Sequence, residues 1–313
     1  MKSLLHAWNE FFFAKRSPLP LGLFRFAYGL CVTATLLLLK GDWLAWYGAH
    51  AWVSLNTMRV VESGARINLF TLIPQDDRWI AAFFWVFLAA ALMLTVGLFS
   101  RTSSVLVYFF FTSIDQRNLF ITHSGDTFLR VAGFFLMFAP VGAALSVDRF
   151  LRVRRGKETP EIQPRRQWAA RMIQIELSLV YLATFFWKLK GTSWLDGSAL
   201  FYIYHLLEFQ RFPVPSWLLQ PDFLKIATWF ALLLELSLGT LIWIKRFRYK
   251  LLLAGLLFHL SLEYSLNTPM MQWDFLSAYV LFLDGDDLQR AWNALSHRFP
   301  LLATLSPRSN NLP

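Results

Sequence analysis

Charged residues and cysteines are scarce in this sequence. Only 16% of the 313 residues are charged and 56% are apolar, whereas an ordinary soluble domain carries about 25% charged residues. The single cysteine, Cys31, excludes an internal disulfide framework and a multi-cysteine metal site. There is no Walker-type loop, no GxSxG motif and no HExxH motif, so ATP-driven and acyl-enzyme chemistry have no support. The composition is that of a polytopic membrane protein.

Long apolar segments follow one another along the chain. A spanning helix needs about 20 predominantly apolar residues, because the hydrocarbon layer is about 30 Å thick and each residue rises about 1.5 Å. Eight segments approach this length, and the last of them is short enough to be a partial span. They are Pro20–Leu39, Trp79–Phe99, Ser103–Ile121, Thr127–Leu145, Ala169–Trp187, Phe223–Ile244, Leu251–Asn267 and Pro269–Leu283. The sequence therefore predicts an all-α transmembrane helix bundle with about eight spans.

Interfacial helices are expected beside these spans. Residues 1–19 carry aromatic side chains at helical spacing without the uninterrupted apolar core of a signal peptide, which predicts an interfacial N-terminal helix. Similar elements are expected in Trp43–Leu55 and Phe201–Leu219, which mix aromatic and polar residues. We assign residues 20–285 to the transmembrane domain and residues 286–313 to a cytoplasmic, partly disordered tail.

The excess of positive charge indicates how the bundle is oriented. The chain has 30 Lys and Arg residues against 20 Asp and Glu residues. If the N-terminus is cytoplasmic and all eight segments cross, most of the basic residues fall in cytoplasmic pieces, above all in the loop Arg149–Arg171. Both termini are therefore predicted to be cytoplasmic. The absence of a signal peptide and of a luminal domain favours a bacterial inner membrane over an endoplasmic reticulum. That loop could instead bind nucleic acid, but a basic run beside a span is far more often a topology determinant, so no nucleic acid partner is predicted.

Polar residues gather at one end of the predicted bundle, and Lys188 has the clearest chemical potential among them. Its neighbours Trp187 and Leu189 are apolar, so its amine would lie in a low-dielectric place. Desolvation disfavours the charged form, and a partly neutral lysine can act as a general base. The alternative is snorkelling, in which the ammonium extends to the headgroups. Lys190 is closer to water and is expected to snorkel.

Other ionisable side chains fall at membrane depth. His259 lies about 12 Å below a span end at helical rise, where a neutral imidazole suits proton handling or a bound quinone oxygen; the alternative is an interhelical hydrogen bond. His123, at the end of a loop, could be a second such group. Glu235 and Arg25 are deeper, and we expect each to form an ion pair or a helix-end contact. The six histidines are scattered, and no metal is predicted.

A series of short motifs makes the sequence resemble a known family. They are Leu23–Gly29, His123–Asp126, Ala139-Pro140, Ser146–Asp148, Gln174, Tyr181, Lys188-Leu189, Trp194, Gly197, Glu235, Phe258–Leu260, Phe275 and Leu281-Phe282. In their order and spacing they resemble the HTTM proteins, whose best understood member is the vitamin K-dependent gamma-glutamyl carboxylase. The resemblance covers about residues 15 to 285.

The resemblance implies an enzyme that uses a quinol, such as vitamin K hydroquinone, as cofactor. In the carboxylase, the hydroquinone reacts with oxygen, and the strong base that forms drives carboxylation of a peptide glutamate. A lysine that is regarded as the base deprotonating the hydroquinone matches Lys188, seven residues after Tyr181, and two family histidines fall at or near His123 and at His259. We therefore predict Lys188, His259 and His123 as catalytic residues. The predicted substrate-binding residues are Asn118, Asp126, Tyr181, Trp194 and Asn267.

Departures from the carboxylase leave three hypotheses open. Only about thirty residues follow Leu283, whereas the carboxylase has a large luminal domain, so glutamate carboxylation is not inferred from likeness of fold. The first hypothesis is a carboxylase-like membrane enzyme, a lyase, acting on a quinol or another lipophilic molecule near the extracytoplasmic face. The second is a non-enzymatic transporter or lipid-handling protein that uses the same cavity. The third is an assembly partner whose polar residues only hold helices together.

Overall fold

The computed structural model describes residues 2–61 and 67–298. Within these residues the regular structure is helical, apart from one antiparallel ladder of two short strands. The chain divides into two compact units, the first formed by residues 1–173 with 283–313 and the second by residues 174–282. The all-α fold class predicted from the sequence is confirmed.

The helices vary widely in length. In chain order they are α1 (Lys2–Phe13), α2 (Leu19–Leu39), α3 (Trp43–Tyr47), α4 (Leu55–Val61), α5 (Asp77–Val96), α6 (Ser100–Arg117), α7 (Ser124–Phe138), α8 (Val147–Arg154), α9 (Trp168–Lys188), α10 (Thr192–Leu195), α11 (Ala199–His205), α12 (Pro221–Thr240), α13 (Lys245–Ser265), α14 (Met271–Tyr279) and α15 (Gly285–Arg298). The strands are β1 (Lys15–Arg16) and β2 (Arg165–Arg166). Short 3-10 turns lie at Leu69–Leu72, Leu119–Ile121, Leu207–Phe209, Ser216–Leu219, Leu241–Trp243 and Val280–Phe282.

The first unit is built on a series of neighbouring helices. In it α2 packs on α5, α5 on α6 and α6 on α7, while α15 contacts α2. Phe24 of α2 and Phe87 of α5 are completely buried. A glycine permits the closest approach of α2 to α5, because a Cβ atom at Gly29 would lie 2.5 Å from the hydroxyl of Thr95. Small residues of this kind let membrane helices pack backbone to backbone.

A buried arginine closes the end of α5. The Arg25 side chain is fully buried, and its guanidinium donates to the backbone carbonyls of Leu94, at 3.0 Å, and Leu145. The helix itself ends at Gly97 in the left-handed conformation, with φ of 73°. The last carbonyls of a helix lack intrahelical partners, and here Arg25 supplies one. The expected helix-end contact of Arg25 is thereby confirmed.

An aspartate performs the equivalent task at the start of α6. Asp148 accepts hydrogen bonds from the backbone amides of Phe99 and Ser100, at 2.8 and 2.6 Å, and from the Ser100 hydroxyl at 2.6 Å. Partial burial acts to raise the pKa of Asp148, but the hydrogen bonds to its carboxylate outweigh burial, so the pKa lies below its ordinary value of 3.8. A carboxylate there also complements the helix dipole.

The second unit packs its helices in sequence order. In it α11 lies on α12, α12 on α13, and α13 on α14. The approach of α9 to α12 again depends on a glycine, because a Cβ atom at Gly239 would meet Leu182 Cγ at 2.7 Å. This unit therefore brings the C-terminal half of α9 against α12, where two of the polar residues of interest lie.

Among the described residues, four helices are long and apolar enough to cross a membrane, and the chain is an integral membrane protein. They are Leu19–Leu39, Asp77–Val96, Trp168–Lys188 and Pro221–Trp243, which correspond to the first, second, fifth and sixth predicted spans. The other predicted spans coincide with α6, α7, α13 and α14, of 18, 15, 21 and 9 residues. The predicted number of about eight spans therefore stays a prediction.

Several predicted boundaries differ from the observed ones, for local reasons. The fourth predicted span runs to Leu145, but α7 ends at Phe138 because Pro140 disfavours helix in the residue before it. The segment Trp43–Leu55 contains α3 and only the first residue of α4. In Phe201–Leu219, α11 is followed by 3-10 turns rather than by a continuing helix.

The predicted terminal segments are partly described. Residues 1–19 contain the expected helix, α1, on which Leu4 and Trp8 are 74% and 59% exposed, as an interfacial helix requires. In the predicted tail 286–313, the residues up to Arg298 belong to α15. Residues 299–313, for which partial disorder was predicted, lie outside the described residues.

Candidate active site

Lys188, the predicted base, is the last residue of α9 and pairs with a carboxylate. Its Nζ atom contacts Oε1 of Glu235 on α12. The Glu235 side chain is 7% exposed and that of Lys188 is 23% exposed, so the carboxylate lies inside the bundle and the amine near its edge. The expected ion pair of Glu235 is present, and its partner is the lysine that the sequence analysis singled out.

An aromatic ring covers the other side of the Lys188 amine. After α9 the chain turns at Gly191, and the short helix α10 brings Trp194 back towards α9. Nζ of Lys188 lies 4.7 Å from the centroid of the Trp194 ring, which is the geometry of a cation–π contact. Lys188 and Trp194, both predicted site residues, therefore contact each other, and Glu235 is a third member of the cluster.

One oxygen of Glu235 is left with spare hydrogen-bonding capacity. Its Oε2 atom is buried and has no hydrogen-bond partner among the described residues. The hydroxyl of Thr184 on α9 donates to the backbone carbonyl of Tyr181 at 3.0 Å and also lies close enough to interact with the Glu235 carboxylate. A buried carboxylate oxygen without a full donor is costly, and protonation of Glu235 would remove this cost.

His259 lies in a chain of buried hydrogen bonds that joins α9, α13 and α14. Its Nε2 atom is 2.7 Å from the hydroxyl of Tyr181, and that hydroxyl is 2.8 Å from the hydroxyl of Tyr279. Its Nδ1 atom is 2.6 Å from Oε1 of Gln272. His259 and Gln272 are 4% and 1% exposed. Both ring nitrogens thus have protein partners, as the interhelical alternative requires.

The orientation of Gln272 sets the direction of this chain. Oε1 of Gln272 can only accept a hydrogen bond, so Nδ1 of His259 carries the proton and donates it. Nε2 of His259 then accepts from the Tyr181 hydroxyl. The Tyr279 hydroxyl then donates to Tyr181. A substrate could reach His259 directly only by breaking one of these bonds.

The two groups of residues are joined by helix α9 within the second unit. Lys188 contacts Trp194, Tyr181 contacts His259, and Lys188 and Tyr181 both lie on α9. The structure therefore brings together four of the predicted residues, Lys188, Trp194, Tyr181 and His259.

Asn267 follows α13 and does not join this group. Its side chain is exposed, and its backbone amide donates to the Phe209 carbonyl at 2.7 Å. Among the described residues it makes no hydrogen bond to Lys188 or His259. Lys190 is exposed, with Nζ 3.9 Å from the Trp187 ring centroid, and its snorkelling stays a prediction.

The three predicted residues of the first unit lie at the ends of α6 and α7, where they cap helices. Nδ1 of His123 accepts from the backbone amides of Gly125 and Asp126, at 3.1 and 3.3 Å, and Asp126 Oδ2 accepts from the His123 amide at 3.0 Å. This reciprocal arrangement is a capping box. Asn118 is fully buried, and its Oδ1 accepts from the Phe120 amide at 3.1 Å. Their catalytic and binding roles stay predictions.

Sequence reasoning missed three members of the site. Gln272 and Tyr279, both on α14, were not predicted, and Glu235 was expected to form a structural pair without an assigned partner. Nothing local identifies them, because Glu235 is 47 residues from Lys188 and Tyr279 is 98 residues from Tyr181. The capping role of His123 did have a local signal, an acidic residue three positions later.

The HTTM domain family model matches residues 13–286. The chain belongs to the HTTM family. The match covers most of the chain, including every predicted site residue of this HTTM protein. Searches of curated proteins and of solved structures found no match. The HTTM domain fits a carboxylase-like membrane family.

Proposed function

We propose that this HTTM protein is a vitamin K-dependent carboxylase-like membrane enzyme that acts on a quinol or another lipophilic substrate. In this proposal Lys188 is the base, and it works near the extracytoplasmic face. The observation that carries the proposal is the pairing of the Lys188 amine with the buried carboxylate of Glu235, beneath the ring of Trp194.

The pair offers a way to generate a neutral amine. In a low-dielectric site the charged pair loses its solvation, so moving the proton from Nζ of Lys188 to Glu235 removes two buried charges at once. Nζ then has a lone pair with which it accepts the proton of a substrate hydroxyl. The new ammonium faces the substrate oxyanion. The proton that Glu235 received then lies on Oε2, which leaves Oε1 to accept a hydrogen bond from the ammonium.

The residues around the amine fit an aromatic, hydroxyl-bearing molecule. Trp194 provides a ring face for stacking, and Nζ of Lys188 beside it provides the base. A bound quinol would supply an acidic hydroxyl and reducing equivalents. No metal-dependent step enters this proposal.

Tyr181 and His259 act as positioning residues in the proposal. The fixed proton arrangement of His259, Tyr181 and Tyr279 holds the α9 segment that ends at Lys188. These hydrogen bonds join three helices, so in the proposal they fix the position of α9 and with it the position of the Lys188 amine. His123, Asn118, Asp126 and Asn267 keep the roles predicted for them from the sequence and take no part in this mechanism.

The proposed setting follows from charge. Clustering of basic residues in loops supports about eight spans with both termini cytoplasmic. The proposal also places the protein in a bacterial inner membrane. Lys188 then lies at the opposite, extracytoplasmic side. A lipophilic substrate would reach it from the bilayer.

The test compares three substitutions at two lysines. Quinol consumption is measured with protein in nanodiscs supplied with oxygen and carbon dioxide. Lys188→Arg keeps the charge and the partner of Glu235 but cannot lose its proton, so activity should disappear while the fold persists. Lys188→Met should also be inactive, and Lys190→Met, the matched control, should retain activity.

The alternatives give different results. Unchanged quinol consumption in Lys188→Arg contradicts the assignment of the base. Flux of a lipophilic molecule across sealed vesicles without chemical conversion supports the transporter. Neither activity, together with a stable co-purifying protein, supports the assembly partner.

A further inference from the structure

The two short strands of the first unit consist entirely of basic residues. In their antiparallel ladder Lys15 lies opposite Arg166, and Arg16 lies opposite Arg165. Side chains that are directly opposite in such a ladder lie on the same face, and successive residues of a strand point to opposite faces. Each face of the ladder therefore presents one pair of positive charges, and like charges in this position destabilise the pairing of strands.

Among the described residues, no carboxylate forms an ion pair with these four side chains, all of which are exposed. The carboxylate of Glu158 is occupied by Arg149 and Arg152. The acidic first turn of α15 lies nearby, since a Cβ atom at Gly285 would lie 2.3 Å from that of Ser17, but in the described part of the chain it does not pair with the ladder either. The charge of the ladder is thus left to water or to an anionic partner.

A buried glutamine holds the two strands together. Gln167 follows β2 directly and is 8% exposed. Its Nε2 atom lies 3.4 Å from the carbonyl oxygens of Arg16 and Ser17 and 3.3 Å from that of Arg165. These carbonyls belong to both strand segments, so the side-chain amide fixes the position of one strand against the other. The opposed charges are therefore in place before a ligand binds, which lowers the cost of binding.

The ladder lies at the ends of two membrane-spanning helices. Strand β1 ends three residues before α2, and β2 ends two residues before α9; both helices are long and apolar enough to cross a membrane. The headgroup layer is about 5–7 Å thick on each side of the hydrocarbon core, and an extended chain covers about 3.3 Å per residue. The four basic side chains therefore lie at the level of the lipid headgroups. Helix α1, which ends two residues before β1, has the exposed apolar side chains of an interfacial helix.

We propose that the β1–β2 ladder binds the phosphate of an anionic membrane phospholipid between the opposed basic side chains of its two strands. Three of the four residues are arginines, whose guanidinium groups match the geometry of phosphate oxygens, and a bound anion removes the repulsion between the strands. A role in topology alone requires basic residues on one side of the membrane, but not their placement opposite one another. The ladder contains none of the residues around Lys188, so this proposal goes beyond the proposed enzymatic function.

The experiment measures lipid binding to the purified full-length protein in detergent micelles by native mass spectrometry. Phosphatidylglycerol is compared with phosphatidylcholine of the same acyl chains, in the wild type and in two double variants, Lys15→Gln with Arg166→Gln and Arg16→Gln with Arg165→Gln. Each basic residue beside an anionic lipid surface contributes about fivefold to binding. At least one double variant should therefore bind phosphatidylglycerol about 30-fold more weakly, with unchanged binding of phosphatidylcholine.

Two further variants separate a binding site from general surface charge. Lys245→Gln with Arg246→Gln is the matched control, because both residues are exposed at the start of α13, on the same predicted side of the membrane, and do not face each other across a ladder. Its affinity for phosphatidylglycerol should stay close to that of the wild type. Arg165→Glu with Arg166→Glu places a carboxylate opposite each basic residue of β1, so the protein should keep or gain thermal stability in phosphatidylcholine nanodiscs while losing the extra stability that phosphatidylglycerol confers on the wild type.

Several results would overturn the proposal. Equal binding of the two lipids by the wild type, or equal weakening in the control and in both ladder variants, means that the ladder is one part of a diffuse surface charge. Displacement of phosphatidylglycerol by an equal concentration of inorganic phosphate assigns the ladder to a soluble anion. Tighter binding of single-stranded DNA than of phosphatidylglycerol, lost in both ladder variants, assigns it to nucleic acid. Lys188→Arg should keep the lipid preference, so the loss of enzymatic activity there leaves this proposal intact.

Discussion

Energetic coupling between Lys188 and Glu235 is the most direct test of the candidate site. Lys188→Met leaves a carboxylate that is only 7% exposed without its cation, and Glu235→Gln leaves the ammonium without its anion. Breaking a buried pair costs about 3–5 kcal/mol, whereas an exposed pair contributes about 0–1 kcal/mol. Because the Lys188 side chain is 23% exposed, we place the coupling between these limits, at about 2 kcal/mol.

The assay is a double-mutant cycle. Reversible unfolding of the wild type, both single variants and the double variant Lys188→Met with Glu235→Gln is followed in mixed micelles. The double variant should be more stable than the sum of the single effects predicts, because neither charge is then left alone. It should remain inactive on the quinol, which separates the contribution of the pair to stability from its contribution to chemistry.

Additive single effects would refute this reasoning. They would mean that Lys188 and Glu235 do not interact in the membrane, and that the amine extends to the headgroups as the snorkelling alternative holds. An equivalent cycle on Lys190 and Glu235 provides the control, since the exposed Lys190 amine lies against Trp187 and should show no coupling.

Three further substitutions test the surrounding structure. Tyr181→Phe removes the hydroxyl shared by His259 and Tyr279 and should lower the free energy of unfolding by about 1–3 kcal/mol; an unchanged value in mixed micelles would contradict the hydrogen-bond chain. Gly255→Ala places a Cβ atom 2.2 Å from the Tyr279 hydroxyl and should cost about 1–3 kcal/mol, partly recovered by Tyr279→Phe in the same unfolding assay. Asp148→Asn should be less stable than the wild type at neutral pH. Since the folded pKa of Asp148 is lowered, its contribution is complete above the ordinary value of 3.8 and disappears as the pH falls through the lowered pKa. Acid titration of both proteins should therefore show the stability difference closing only at low pH, and a difference that closes near neutral pH would contradict the assignment.

Local sequence signals accounted for much of the fold. The helices of α2, α5, α9 and α12 follow from long apolar runs, because burial of the backbone in lipid demands internal hydrogen bonding. The end of α7 before Pro140 also has a local signal, although the predicted span continued past it. The capping box at His123 has one too, although His123 was predicted as a catalytic residue.

The site itself was predictable only in part. Lys188, Trp194 and Tyr181 belong to one stretch of chain, α9 and the turn after it, so apolar context and family resemblance identified them together. Glu235 was recognised as a buried charge in need of a partner. The pairing of Glu235 with Lys188 was not predicted. Which faces of α9 and α12 meet depends on how the two helices rotate and slide against one another.

The sequence by itself determined that this chain is an all-α membrane protein of the HTTM family with an amine at the end of an apolar helix, since hydropathy, charge placement and motifs are written along one dimension. Only the tertiary structure decided that Glu235 partners this amine and that Gln272 and Tyr279 fix the protons around His259. Contacts between helices arise from packing of side chains far apart in the chain, and no spacing along a single helix encodes them.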